Sequence, residues 1–333
     1  MKATRTDVAR LAGVSTALNG SNKVKDETVK KVLEAVASLD YHPDMIARSM
    51  TTKQTMQIGI LLDDVINPYY GELIQEFENA ANEKNYFVNI CTGLHKLDSY
   101  FDNFITRRMD GVFVTVLPYK FQEERLYHLV KQGVRVLTSG NINADFRLVS
   151  SIESDYVAAM HDAVTYLYQL GHEQIAYLSG LSKDHTYDLR CTGYRQIAKD
   201  LAFSDGDALL IDGKPPFPTG MKSGYDCAVR LMESGKKFTA AICGNDLMAL
   251  GAIRAFNEKG FRVPEDISVM GFDGIEMGRY WEPSLTTMSV DKVKFGRRAF
   301  DLLYSNIVNG TTGFYKNELT LIEGGSTARR SEQ

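Results

Sequence analysis

From Gln57 onward, short apolar runs alternate with stretches of helical periodicity, in two successive series. QIGILL, YFVNIC, GVFVTV and VRVLTS form the first; QIAYLSG, ALLID, TAAICG and ISVMGF form the second. Between them lie amphipathic stretches such as Tyr70 to Glu83 and Phe121 to Gln132. Short apolar runs separated by helices suit a parallel sheet covered by helices on both faces. Two series predict two similar α/β lobes. The late segments TTMSV and NELTLIE are expected to cross back between them. A chain of 333 residues is long enough for two lobes and a small extra domain.

Residues 1–44 have another rhythm, with no strand pattern. Thr4 can cap a helix running from Thr6 to Gly13, with Asp7 in its first turn and Val8 and Leu11 on one face. A stronger helix is expected from Asp26 to Leu39, where Val29, Val32, Leu33, Val36 and Leu39 recur at helical spacing. Three short helices suffice for a helix-turn-helix. Residues 45–56, MIARSMTTKQTM, lead into the first strand, and Met45, Ile46 and Met50 share a face if this segment coils.

Hydrophobic content of 44% and charged content of 24% are those of a soluble globular protein. No run approaches the ~18 apolar residues of a membrane span, and MKATRTDVAR has no apolar core of a secretory signal. A cytoplasmic protein with no membrane partner is expected. Cys91, Cys191, Cys227 and Cys243 are far apart and read as buried, reduced thiols. The net charge is -4, but residues 1–56 carry +3 and the remainder -7. A basic head on an acidic body fits a DNA-binding module, and equally a solvated helical domain.

Catalytic signatures are missing. There is no G-x-G-x-x-G after the first strand, no phosphate-binding G-x-x-x-x-G-K-[ST], no H-E-x-x-H and no G-x-S-x-G. Asp63 and Asp64 are adjacent, so their side chains diverge. The histidines are scattered. No enzyme, cofactor or metal site is expected.

DVARLAGVS, followed by LNGS, KVKDETVKKVLEAVASLDYHP and IARSM, resembles the LacI/GalR family of bacterial transcription regulators. The resemblance continues through GILLDDVINPYYGELI, MDGVFV, LGHEQIAYLSG, RCTGY, AAICGNDLMALGAIRAF, VPEDISVMGFDG and SLTTM, in order along nearly the whole chain. It implies a helix-turn-helix head (1–44), a hinge (45–56) and a core (57–333) similar to periplasmic sugar-binding proteins. The core's first lobe would take about 57–155 plus 290–316, and its second about 156–289 plus 317–333. The implied function is a repressor of a carbohydrate operon. Its implied partners are operator DNA, a small-molecule effector, commonly a sugar, and further copies of itself in a homodimer or tetramer.

The DNA contacts the resemblance implies are Thr4, Ser15, Thr16, Ala17 and Asn19 in the head, with Ala47, Arg48 and Met50 in the hinge. A recognition helix reads base edges in the major groove, while hydroxyls and cations hold phosphates. Met50 stands where the family has a leucine that wedges a minor-groove base step. The chain departs from the family here. The recognition helix usually runs S-T-A-T-V-S-x-V-L-N, but Ala17 is followed at once by Leu18, Asn19 and Gly20. About five residues are missing, which rotates the end of the helix by ~140° from its usual face. Weakened operator binding is therefore expected. The alternative is a cytoplasmic sugar-binding or dimerisation protein whose head no longer reads DNA.

Effectors of two-lobed α/β proteins bind at the carboxyl ends of strands, between the lobes. Tyr69 and Tyr70 come after the first strand; they could stack on a pyranose or simply pack a helix start. Arg190 matches an effector-binding arginine of the family, a fork of donors suited to sugar oxygens or a carboxylate. Asn245 and Asp246 sit where a strand becomes a helix. Either can cap it, and Asn245 can face ligand. Asp273, after a buried strand, can accept two hydroxyls or merely form the turn before Gly274. Phe217 is a candidate aromatic wall, though its prolines shift the spacing. Ser139 stands where many members have an aspartate, and EGGST lacks an arginine common in the family.

Overall fold

The computed structural model describes residues 3–14, 26–42, 49, 52–63, 65–115, 121–139, 144–182, 188–201 and 209–330. The expected DNA contacts Ser15, Thr16, Ala17, Asn19, Ala47, Arg48 and Met50 lie outside this set. The chain divides into two compact units, Met1–Met56 and Gln57–Gln333.

In the first unit, helix α1 (Arg5–Ala12) begins at a capping box. The Asp7 N–H donates to Thr4 Oγ1 at 3.3 Å, and the Thr4 N–H donates to Asp7 Oδ2 at 2.9 Å. Gly13, at φ 67, ends the helix in the left-handed conformation that glycine adopts without strain. Helix α2 (Asp26–Ser38) packs on it. Val8, Val32 and Ala35 are buried, flanked by Ala12, Val14, Val36, Leu39 and Tyr41. Leu11, Val29 and Leu33 stay exposed. The buried stripe of α2 is centred on Val32, Ala35, Val36 and Leu39, so Val29 and Leu33 fall beside it. Further on, the Lys53 N–H donates to the Ser49 carbonyl at 2.8 Å, one helical-turn bond in the segment before Gln57.

The second unit is two lobes. Its first lobe contains β1 (Gln57–Leu62), α3 (Pro68–Glu83), β2 (Phe87–Thr92), α4 (Leu97–Thr106), β3 (Gly111–Val114), α5 (Glu124–Lys131), β4 (Arg135–Ser139) and β5 (Ser150–Ser154). The chain then crosses to α6 (Tyr156–Gln169), β6 (Ile175–Leu178), α7 (Leu189–Asp200), β7 (Leu210–Ile211), α8 (Met221–Glu233), β8 (Ala240–Cys243), α9 (Asp246–Glu258), β9 (Ser268–Asp273), α10 (Glu276–Arg279) and β10 (Thr286–Ser289). It returns with α11 (Lys292–Asn309) and β11 (Phe314–Asn317), and crosses once more into β12 (Thr320–Ile322).

The sheets are ordered β11-β5-β4-β3-β1-β2 and β12-β10-β9-β8-β6-β7. Among the described residues every pairing is parallel except β10 with β12. Residue 155 and the segments 290–291 and 318–319 join the lobes. Asn317 still belongs to β11, one residue past the expected lobe boundary. Apolar strand faces drive both cores. In the first lobe Phe77 stacks on Phe113 at 5.5 Å and meets Phe300 edge-on, which fastens α3 and α11 to the sheet. Burying each such ring contributes about 2–3 kcal/mol. Strand β5, SSIES, is buried although mostly polar. Its polar groups find partners: Ser151 Oγ donates to Glu153 Oε1 at 3.2 Å, and Ser150 Oγ accepts the Gly313 N–H at 3.2 Å.

Strand order reverses at β1 in one sheet and at β6 in the other. Crevices open at the carboxyl ends of strands beside such switch points. That edge carries the loops after β1 and β6 and the end of β9.

Candidate ligand-binding cleft

Asp273, the last residue of β9, is 5% exposed and has φ 107, a conformation rare outside glycine. Gly274 comes next at φ 69, and a Cβ there would lie 2.1 Å from Ser289 Oγ. The tight turn thus requires this glycine. Asp246, fully buried at the start of α9, holds the turn from behind. Its Oδ2 accepts the Ile275 N–H at 2.8 Å and its Oδ1 accepts the Thr287 hydroxyl at 2.6 Å. Gly271 leaves room for it, since a Cβ there would lie 2.2 Å from Asp246 Oδ1.

From the other lobe, Asn67 caps α3 by accepting the Tyr69 N–H at 3.0 Å and hydrogen-bonds the Asp273 carboxyl. Lys292 Nζ donates to the carbonyls of Asp273 and Gly274 at 3.2 and 2.7 Å. Burial pushes the Asp273 carboxyl up to about 7, against the pull of Arg190, Lys292 and Asn67. Burial, with Asp273 close by, also pushes Asp246 well above the usual carboxylate range.

Arg190 opens α7 behind its cap, Asp188. Asp188 accepts the Cys191 N–H at 3.2 Å, the Ser179 hydroxyl at 2.8 Å and the Tyr177 hydroxyl at 3.3 Å. The Arg190 guanidinium lies 4.4 Å from the centroid of Tyr156 and 5.9 Å from that of Phe272. Its Nε stands 3.8 Å from Asp188 Oδ1, too far to bond, and has no partner among the described residues. Burial works against its charge, but Tyr156, Tyr177, Asp188 and Asp273 outweigh that and hold it protonated.

Tyr69 is buried in the same field, and burial raises its phenol well above the ordinary value, reinforced by Tyr156 and Asp273. Tyr70 is half-buried, its ring 5.3 Å from that of Tyr69. The structure therefore brings Tyr69, Arg190 and Asp273 into one cluster and places Tyr70 beside it. Asn245 caps α9 with Oδ1 on the Met248 N–H at 2.8 Å, while its Nδ2 donates to the Thr219 carbonyl at 2.8 Å. Its amide is thus engaged in holding the loop before α8. Ser139 is half-buried at the carboxyl end of β4, and Phe217 is half-buried at φ 61 in the loop before α8. Thr4, in the head, spends its hydroxyl on the α1 cap, donating to Asp7 Oδ2 at 2.6 Å.

Sequence reasoning missed Asn67, Tyr156 and Lys292. Asn67-Pro68 is a readable helix start. Tyr156 was hidden by the polar strand before it, and a lone lysine at a helix start reads as surface. Chemically, the cluster offers a carboxylate acceptor, an unfilled guanidinium donor and aromatic faces. No group of metal-ligating side chains occurs among the described residues, and none of their helices is long and apolar enough to cross a membrane. On the second lobe, a groove of about 470 Å³ between α8 and α9 is lined by Met221, Tyr225, Leu250 and Trp281 together with the charged Lys222 and Arg254.

Residues 4–44 match the lacI family of bacterial regulatory proteins, and residues 164–327 match a periplasmic binding protein-like domain. The HTH-type transcriptional repressor PurR of Mannheimia succiniciproducens is 33% identical over 318 residues, covering 92% of each chain. PurR of Haemophilus influenzae (strain KW20) is 31% identical over 325 residues, covering 93% of each. The lac repressor dimer bound to operator and the anti-inducer ONPF superposes with a TM-score of 0.83 at 25% identity, covering 98% of this chain and 100% of that one. The CelR–cellobiose complex shares the fold, with a TM-score of 0.74 at 23% identity, over 97% of this chain and 99% of that one.

Proposed function

The chain belongs to the lacI family of bacterial regulatory proteins, and from that premise we propose that it represses a carbohydrate operon under control of a sugar bound between its lobes. Its homologues are DNA-binding transcriptional repressors rather than enzymes. One observation carries the effector reading: Asp273, Arg190, Tyr69 and Tyr156 converge where the two lobes meet. A sugar suits this cluster, since hydroxyls donate to a carboxylate, accept from a guanidinium, and present an apolar ring face to tyrosine. Tyr70, Ser139, Asn245 and Phe217 are the outer candidates of the same site.

The protein works as a homodimer or tetramer in the cytoplasm. Effector closes the lobes, shifts the dimer and changes the spacing of the hinges, which carry Ala47, Arg48 and Met50. The coupling is the difference in effector affinity between the two dimer states.

The head match across 4–44 and the intact Thr4 cap favour a working head over one that no longer reads DNA. The short segment after Ala17 still predicts weaker reading than in a full-length recognition helix. Selection from a random DNA library tests this, with the purified chain beside a version carrying five family-typical residues after Ala17. Both are expected to enrich the same near-palindrome, the purified chain with lower affinity and a salt-dependent Kd. Enrichment by the restored version alone would leave only a ligand-binding protein with a silent head.

A further inference from the structure

Lys292 is out of place for a lysine. It is 6% exposed and stands at the first position of α11, where the helix end is partly positive and disfavours a cation. A buried ammonium persists only where acceptors surround it. Here the acceptors come from both lobes. The carbonyls of Asp273 and Gly274 belong to the second lobe, at 3.2 and 2.7 Å. Glu72 Oε2, on α3 of the first lobe, is 3.6 Å away. Helix α11 itself packs on α3.

The same turn is gripped in a second way. Asp246 takes its N–H groups from within the second lobe, while Asn67 reaches its carboxyl from the first. The turn's backbone acceptors are thus held by one lobe and its donors by the other.

We propose that Lys292 is an interlobe tether, which limits how far the lobes part through the backbone carbonyls of Asp273 and Gly274 and so positions Asp273 for whatever enters. An incoming ligand that takes the Asp273 carboxyl displaces Asn67 and leaves the Lys292 grip intact. The inference rests on the two-lobed core alone and is independent of the operator and effector readings.

The test is the distance between lobes in the full chain. Spin labels are placed at Glu78→Cys and Glu233→Cys, both exposed, in a Cys91→Ser background that removes the half-exposed thiol. Pulsed dipolar spectroscopy then reads the label separation without ligand. Lys292→Met, which keeps the stem and loses the donors, is expected to give a longer and broader distance distribution. Lys292→Leu, which also lacks donors, serves in its place if the methionine variant does not fold. Lys294→Met, an exposed lysine on the same helix, is expected to match the parent, as is Asp273→Asn, which keeps both carbonyls. A parent-like distribution in the Lys292 variant would overturn the tether. Opening in Asp273→Asn would overturn it too, since the grip would then run through the carboxyl.

Discussion

The guanidinium of Arg190 lies over the ring of Tyr156, 4.4 Å from its centroid, with its Nε left without a hydrogen-bond partner among the described residues. The stack fixes the plane of the fork, and Asp188 fixes where α7 begins. A lysine at this position would keep the charge and lose both the plane and the fork of donors on separate nitrogens. Arg190→Lys is therefore expected to weaken effector binding about tenfold, or ~1.4 kcal/mol, with the fold intact. Titration calorimetry beside a circular dichroism spectrum checks this; undiminished affinity would remove Arg190 from the site.

Asp273 has a carboxyl pushed up to about 7 by burial, against a usual value of 3.8. Between those values the folded chain holds a proton that the unfolded chain has released. Stability therefore falls as pH rises from about 4 to 7, by up to a few kcal/mol, and levels off above that. Asp273→Asn is expected to flatten this segment of the stability curve, measured by urea unfolding across pH. Effector whose hydroxyls donate to the carboxylate is expected to bind more tightly above pH 7 than below it.

His172 behaves in the opposite sense. Its ring is buried between Thr239 Oγ1 and the Ala328 carbonyl, each at 3.0 Å, and burial lowers its pKa from 6.5. The unfolded chain protonates first as pH falls through 6.5, so stability is lost below that point. In His172→Gln the melting temperature is expected to depend less on pH between 6.5 and 5, and to start lower at neutral pH because the Ala328 tie is weakened.

Helices α8 and α9 meet backbone to backbone. A Cβ on Gly224 would lie 1.9 Å from the Met248 carbonyl oxygen. Gly224→Ala is expected to cost about 3 kcal/mol and several degrees of melting temperature, because neither backbone can yield without parting the helices. The same change at Gly235, which has open space around it, would act only through its φ of 69 and cost less.

The parts of this structure legible in the sequence are those written in periodicity and in strand-end chemistry. Val112, Phe113 and Val114 in β3 announce a buried strand, and Thr4 with Asp7 announces a helix start. Arg190 could be singled out because it matches an effector-binding arginine of the family, and Asp273 because a carboxylate after a buried strand can accept two hydroxyls. Strand β5 could not be read, because Ser150, Ser151 and Glu153 are buried through hydrogen bonds that only the fold supplies. Lys292 could not be read either: its acceptors lie 18 and 19 residues back in the chain, across a lobe boundary. Leu11 and Leu33 look like core residues by spacing alone and are exposed, since a stripe's centre is settled by what packs against it.

Neither lobe is a continuous stretch of chain, because α11 and β11 complete the first lobe only after the second has been threaded. On the ribosome, strands β1 to β5 emerge early and must wait for some 160 further residues before β11 can pair with β5. At roughly 5–20 residues per second that is an interval of many seconds with an unprotected sheet edge. The nascent chain is therefore at its most vulnerable midway through synthesis, and a premature stop before α11 would release two halves of which neither is whole.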